Sequence, residues 1–372
     1  MYYKKILFLF ILFLCNTILF ASNANWMSQI PNDRILNQLI IPGTHDSGTY
    51  DIKPQSKFSL SPDDPLPIWF EEISNILPKS IVRPIVAAWS KTQPYSILQQ
   101  LNNGIRYLDF RVCLYQSHFY LCHALISVRL KTALKQIQTF IQQNPSEIIF
   151  LDINHIYNVT TPAQETQLVQ LIQNYLGNDE IPNTYHVTDT MKTIRASNRN
   201  VIIFMNSQQS VANNFWPESN INSPWPDAGH IYHLENILNA EMLFRDKTYL
   251  SSNNFFVLQT IETENTNEVI DGIVNPKLFP NNIKRLELLV NSSLENWINN
   301  YIAEYGSQPM NIVIQDWFTK NSPIVQLAVQ YDTQSFLIKN KLPTARMKNK
   351  LAELKKWYTH EKSIRTASSP SG

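Results

Sequence analysis

Residues 41–47 read Ile41-Pro42-Gly43-Thr44-His45-Asp46-Ser47. A short apolar run, Gln38 to Pro42, gives way to Gly43-Thr44, and a histidine beside a carboxylate follows. That is the form of a buried strand ending in a polar turn. The form recurs along the chain. Gly104 to Val112 is an apolar strand that carries Asp109 and Arg111. Glu147 to Ile153 runs into Asp152-Ile153-Asn154-His155, and Met310 to Ile314 runs into Gln315-Asp316. Asn200 to Met205 and Phe255 to Gln259 are further buried-strand candidates. Between these runs the apolar spacing is helical, over Val128 to Gln143 (stopped by Asn144-Pro145), Pro162 to Tyr175 and Leu286 to Glu304. Strands alternating with helices predict parallel βαβ units. No Gly/Ser-rich linker divides them, so one α/β barrel is the economical architecture, with an open doubly wound sheet as the other arrangement. No Gly-x-Gly-x-x-Gly or P-loop follows a strand, which disfavours a nucleotide-binding Rossmann domain.

Composition narrows the class. The chain has 372 residues, 44% apolar, with 31 Lys+Arg against 30 Asp+Glu. That is enough apolar material for a large core, and too little net charge for a disordered chain or a nucleic-acid binder. Lys4 and Lys5 precede an apolar run from Ile6 to Phe20, with Ala21 or Ala24 offering a small residue for cleavage. Residues 1–24 therefore read as a signal peptide, the run being shorter than the ~20 residues a bilayer span needs. The expected location is secreted or periplasmic. Residues 25–338 form the expected single catalytic domain, and residues 339–372 a basic C-terminal helix with a polar tail. Cys113 and Cys122 flank a predicted hairpin turn at Gln116-Ser117. An oxidising compartment permits a disulfide between them; the alternative is two buried thiols.

In a parallel barrel the C-terminal strand ends share one face, where active sites form. That rule brings His45, Asp46, Asp109, Arg111, Asn154 and Asp316 together, with His123 returning from the hairpin. Two histidines with carboxylates and an arginine suit acid–base phosphoryl chemistry. One group takes a proton from a hydroxyl, another gives one to the leaving oxygen, and the guanidinium holds charge on phosphorus oxygens.

Here the chain resembles the phosphatidylinositol-specific phospholipase C X-domain family, particularly its small branch without accessory domains. The resemblance rests on residues 41–47, Trp89-Ser90-Lys91-Thr92-Gln93, Gly104 to Arg111 and His123-Ala124-Leu125. Phe150 to His155, Ser223-Pro224-Trp225-Pro226 and Ile312 to Trp317 complete it, in the family's order. It implies a distorted TIM barrel and a phosphodiesterase that cleaves phosphatidylinositol to diacylglycerol and cyclic inositol phosphate. His45 would be the general base, Asp316 its orienting carboxylate and His123 the general acid, with Asp46 close to it. Arg111 would clamp phosphate, and Asp109 and Asn154 would line the headgroup pocket. Calcium-dependent members place ligands at the positions of Asp46, Asp109, Arg111 and Asn154. Arg111 puts a fixed cation there, so the expectation is catalysis without metal or cofactor. The implied partner is phospholipid at a membrane surface, met by a monomer. Asn206, Gln208 and Gln259 stand at strand ends where bacterial enzymes carry charged ring-gripping groups.

Other readings of the residues stay open. A glycerophosphodiesterase or sphingomyelinase D barrel would need a carboxylate metal cluster, which Arg111 opposes; a silent lipid binder would keep the fold. The stretch Asp51 to Tyr95 is long for a barrel loop, and would serve as an interfacial lid or as a helix packed on the barrel. Lys339 to Arg365 holds nine Lys/Arg and two Glu. It would favour an anionic lipid surface, or form a solvated helix docked by Leu351, Leu354 and Trp357.

Overall fold

The computed structural model describes residues 23–57, 78–246, 253–305 and 310–333. The basic C-terminal segment, the middle of the 51–95 insertion and nearly all of the expected leader lie outside the described residues. The strands are β1 (Ile41–Thr44), β2 (Tyr107–Tyr115), β3 (His118–His123), β4 (Leu125–Arg129), β5 (Ile149–Tyr157), β6 (Val201–Met205), β7 (Ile221–Asn222), β8 (Phe255–Gln259) and β9 (Ile312–Gln315). The helices are α1 (Lys79–Ser90), α2 (Ile97–Asn102), α3 (Leu130–Gln143), α4 (Pro162–Leu176), α5 (Met191–Ala196), α6 (Gln208–Ala212), α7 (Ile231–Asp246), α8 (Thr266–Val274), α9 (Ile283–Tyr305) and α10 (Pro323–Thr333).

Seven strands pair in parallel in the order β6-β5-β2-β1-β9-β8-β7. The order curls back toward itself, and the two end strands come from neighbouring stretches of chain. Trp216 bridges β6 at Phe204, and the chain then runs five residues on to β7. The result is the expected α/β barrel in distorted form, with its gap between β6 and β7. β1, β6, β8 and β9 are buried on both sides, which explains the unbroken apolar runs of VIIFM in β6 and FFVLQ in β8. α3 packs through Leu130, Ala133, Leu134, Ile137, Phe140 and Ile141, all buried at helical spacing. α2, α4 and α8 each begin with a capping box, at Ser96/Gln99, Thr161/Gln164 and Asn265/Glu268.

β2 outruns its apolar stretch. Beyond Val112 it continues as an antiparallel hairpin with β3, turning at Gln116 (φ 47°) and Ser117 (φ 61°). Two consecutive positive φ values are the hairpin geometry that follows the twist of the strands. The register explains the thiols. Cys113 stands opposite Tyr120, so Cys122 is its diagonal neighbour, a relation that spaces residues roughly 7–8 Å apart. That is beyond the reach of a disulfide, and the permitted Cys113–Cys122 bond is replaced by two buried thiols.

The described part of the insertion is packed. In α1, Val82, Val86, Ala87 and Trp89 are buried against Ile52, Leu125, Val269, Ile283 and Leu286. The lid reading would now rest on residues 58–77, which lie outside the described residues.

Arg106 closes the opposite end of the barrel. Fully buried, it donates through Nε and Nη2 to Glu147 Oε2 at 2.9 and 2.6 Å. Its remaining hydrogens go to the carbonyls of Leu101, Ile105, Asn23 and Ala24. Asn23 and Ala24 thus belong to the folded body.

Candidate active site

The chain leaves β1 through a turn with little freedom. Asp46 adopts φ 42°, a left-handed conformation that costs a non-glycine residue energy. The surroundings hold it there. Asp46 N donates to Asp109 Oδ2 at 3.1 Å, and Ser47 N to the Asp109 carbonyl at 2.9 Å. Gly48 lies so close to β3 that a Cβ there would sit 2.2 Å from Leu121 Cδ1. Gln93 Nε2 donates to the carbonyls of His45 (3.0 Å) and Gln315 (2.9 Å), tying β1 to β9. Thr92 Oγ1 reaches the carbonyls of His45 and Asp46. The Trp89–Gln93 motif, given no role from sequence, therefore fastens this turn.

His45 is 5% exposed. Its Nδ1 lies 3.0 Å from Asp316 Oδ1, so that carboxylate fixes the ring. Its Nε2 faces Arg111 Nη2 at 3.0 Å and Asp46 Oδ2 at 3.4 Å. A guanidinium only donates, so the Arg111 contact requires the lone pair at Nε2 and the proton at Nδ1. Burial opposes charge on the ring, but Asp46 and Asp316 outweigh it and Arg111 only partly offsets them. The His45 pKa rises to about 9. His45 thus stands between two states: neutral with Nε2 toward Arg111, or imidazolium with Nε2–H toward Asp46.

Asp46 is the electrostatic hub. Oδ1 lies 2.7 Å from Arg111 Nε, an ion pair not aligned as a hydrogen bond. Oδ2 lies 3.6 Å from His123 Nε2. Burial would raise the Asp46 pKa, yet Arg111, then His45 and His123, hold it below the ordinary carboxylate value. His123 comes from the end of β3. Its Nδ1 lies 3.0 Å from the Ser90 carbonyl, so Nδ1 carries a hydrogen and Nε2 is turned inward. The two histidine rings are 6.3 Å apart. At Asp316 burial raises the pKa and His45 opposes it.

Asp109 is buried and held behind the site: Oδ2 takes the Asp46 amide, and Oδ1 accepts from Asn154 Nδ2 at 3.3 Å. A cavity of about 380 Å³ opens above, lined by His45, Arg111, Asn154, His155, Trp225 and Gln259 among others. Of the seven predicted site residues, His45, Arg111 and Asn154 line this cavity; Asp46, His123 and Asp316 join them through the charge contacts with His45 and Arg111, and Asp109 through its hydrogen bonds to Asp46 and Asn154.

Sequence reasoning gave no site role to several neighbours. The Trp225 ring lies 5.6 Å from the His45 ring and is 44% exposed. Gln259 Nε2 donates to Ser223 Oγ at 3.1 Å, holding the Trp225 loop instead of pointing free into the pocket. Asp152 accepts from the Tyr107 hydroxyl, and burial, with Asp109 behind it, pushes its pKa well above the usual range. The signal for Trp225 was its place in the Ser223–Pro226 motif; for Asp152 it was the strand end.

As for a cation, His45, Asp46 and Asp109 offer atoms within 4.8 Å of one another. The Arg111 guanidinium already lies against Asp46, so a divalent ion there would face a fixed positive charge.

Comparison with known proteins agrees with this geometry. A family model described as PI-PLC X 1 matches residues 85–217. The chain is 31% identical over 260 residues to "PI-PLC X domain-containing protein 2" of Homo sapiens, covering 68% of this chain and 81% of that one. It is 27% identical over 262 residues to "PI-PLC X domain-containing protein 3" of Homo sapiens, covering 68% and 78%. In fold it is similar to the phosphatidylinositol-specific phospholipase C of Listeria monocytogenes, with TM-score 0.56 at 18% identity, covering 85% of this chain and 100% of that one. A Staphylococcus aureus phosphatidylinositol-specific phospholipase C gives TM-score 0.58 at 15% identity, covering 85% and 98%. The barrel is therefore the fold of the bacterial phospholipases C, and the chain belongs to the PI-PLC X domain family.

Proposed function

We propose that this protein is a phosphodiesterase that cleaves phosphatidylinositol, or a closely related phosphodiester lipid, to diacylglycerol and a cyclic inositol phosphate. The observation that carries the reading is the pairing of two oriented histidines across Asp46 and Arg111. Asp316 orients His45 from behind, and the Ser90 carbonyl orients His123, leaving each Nε2 turned toward the same space.

In the forward step, His45 Nε2 takes the proton of the inositol 2-hydroxyl as that oxygen attacks phosphorus. Arg111 turns from His45 to the phosphate oxygens, where its fork neutralises the developing charge. His123 Nε2–H gives its proton to the diacylglycerol oxygen as the P–O bond breaks. One proton enters at His45 and one leaves at His123, so the ring closes without water. Asp46 steadies both imidazolium forms. Asp109 and Asn154 offer an acceptor and a donor to ring hydroxyls, and Trp225 covers one wall.

Arg111 supplies the cation that an ion would otherwise supply, so the reaction proceeds without calcium. The expected leader would carry the protein to a secreted or periplasmic location, where it meets lipid as a peripheral monomer.

The test is incubation of purified protein with phosphatidylinositol vesicles, with and without chelator, beside His45→Ala and His123→Ala. Water-soluble cyclic inositol phosphate from the native protein alone, in both buffers, is the expected result. Release of choline or glycerol from other lipids would overturn the substrate, and equal activity in the variants would overturn the mechanism. Calcium-restored activity after chelation would overturn the role given to Arg111. No product from any lipid would leave a lipid-binding protein on this fold.

A further inference from the structure

A second group of ligating side chains lies outside the pocket. His230 stands in the loop before α7, Glu262 in the loop after β8, and Glu268 in the first turn of α8. One ligand atom from each falls within 4.8 Å of the other two. His230 Nδ1 and Glu268 Oε1 are 3.6 Å apart. Tetrahedral ligands at bonds of about 2.0–2.1 Å stand roughly 3.4 Å apart, so this pair already has the right spacing.

The roles of the individual oxygens fit. Glu268 uses Oε2 to accept the Asn265 amide in the helix cap at 3.0 Å, which fixes the side chain and leaves Oε1 toward His230. Glu262 is the informative member. It is 7% exposed, yet among the described residues its carboxylate has neither a hydrogen bond nor an ion pair. Its oxygens keep a little contact with solvent, so an ion could reach them without the fold opening. Its main chain is pinned, since Glu262 N donates to Glu287 Oε1 at 3.1 Å. Thr263 N donates to the Ala228 carbonyl at 2.9 Å, so the two loops are already laced beside the cluster.

We infer that His230, Glu262 and Glu268 form a binding site for a divalent transition ion of the zinc class. One imidazole nitrogen with two carboxylates is a donor set suited to zinc and short of the six to eight oxygens calcium prefers. The site is separate from the His45 pocket, and its ion is positioned to act on structure. It would join the loop that carries Trp225, residues 223–230, to the β8–α8 loop and to the start of α8.

The test is calorimetric titration of the tag-free full chain, freed of metal by chelator, with zinc chloride and separately with calcium chloride. About one equivalent of zinc should bind, with calcium at least roughly tenfold weaker. His230→Ala, at a mostly exposed position, and the isosteric Glu262→Gln should each weaken zinc by about tenfold or more. Absence of zinc binding, or affinity unchanged in His230→Ala, overturns the inference. So does calcium binding as tightly as zinc. Zinc lost in Asp109→Asn but kept in His230→Ala would place the ion at the other cluster and overturn it too. Binding is read without lipid, so the result is independent of the proposed catalysis.

Discussion

Arg106 and Arg111 stand five residues apart, one just before β2 and one within it, and they have opposite surroundings. Arg106 is wholly buried, paired to Glu147 and saturated by four carbonyls. Arg111 is 19% exposed and paired at 2.7 Å to an Asp46 whose oxygens accept no hydrogen bond and face His45 and His123 as well. One end of the barrel is a closed polar plug. The other is an arrangement of charges with room left for a ligand. A saturated buried charge contributes to the folded state only while its partner remains, whereas a partly solvated one can change partners during a reaction.

The largest expected effect breaks the closed end. Glu147→Ala leaves the Arg106 guanidinium buried without its counter-charge, which typically costs about 3–5 kcal/mol. Urea unfolding followed by circular dichroism should show the lower midpoint. The protein that remains folded should keep its turnover, because Glu147 touches nothing at the catalytic end. A variant as stable as the native protein would show that the plug is not needed to close the barrel.

Next comes the open end. Arg111→Ala should lower turnover of phosphatidylinositol by roughly 10²–10³, as removal of an oxyanion donor does. Its effect on urea stability should be less than half that of Glu147→Ala, since the side chain is partly solvated and Asp46 keeps His45 and His123 beside it. If stability fell as far as in Glu147→Ala, the contrast between the two arginines would fail.

The third effect concerns pH. His45 acts as a base only after losing its proton, and His123 must keep the proton it donates, so kcat/KM should be bell-shaped in pH, with the acid limb set by His45 at about 9. Asp316→Asn removes one of the two charges that hold the proton. The acid limb should then move down by about one unit or more, with lower turnover at the optimum. The same shift predicts a stability signature. The His45 pKa is raised above its unfolded value of 6.5. Its contribution is therefore complete below pH ~6.5 and lost as pH climbs through about 9, on the order of 3 kcal/mol at most. An acid limb that stays in place in Asp316→Asn would remove Asp316 from its orienting role.

This contrast also explains what the sequence could reveal. The open end was legible because its residues sit at strand ends, where an apolar run breaks into His45-Asp46, Asp152-Ile153-Asn154-His155 or Gln315-Asp316. The alternation of strands and helices set the barrel, and β8 begins and ends where its apolar run does. Strand lengths were less legible where pairing outlasted hydrophobicity: β5 extends to Tyr157 because it remains paired with β2 through Cys113. The Arg106–Glu147 pair was hidden. Asp109 is the carboxylate nearer to Arg106 in sequence, but the strand turns alternate residues to opposite sides. The thiol pair shows the same limit, since separation across a hairpin does not give register. Nor could spacing show that Gln259 is occupied by Ser223.

The smallest effect sharpens the open end from its rim. Trp225 contributes no charge and no proton; its ring lies 5.6 Å from that of His45 and remains 44% exposed. Such a ring should act by covering bound substrate. Trp225→Ala ought then to raise KM several-fold, on the order of 1 kcal/mol, with kcat nearly unchanged, because uniform binding is lost while the acid, base and clamp remain. Trp225→Phe should recover most of that loss, since it restores a flat apolar surface. Should kcat fall with KM unchanged instead, Trp225 would be positioning His45 and not holding the lipid headgroup. The boundary between the reacting charges and the wall around them would then lie one residue further out.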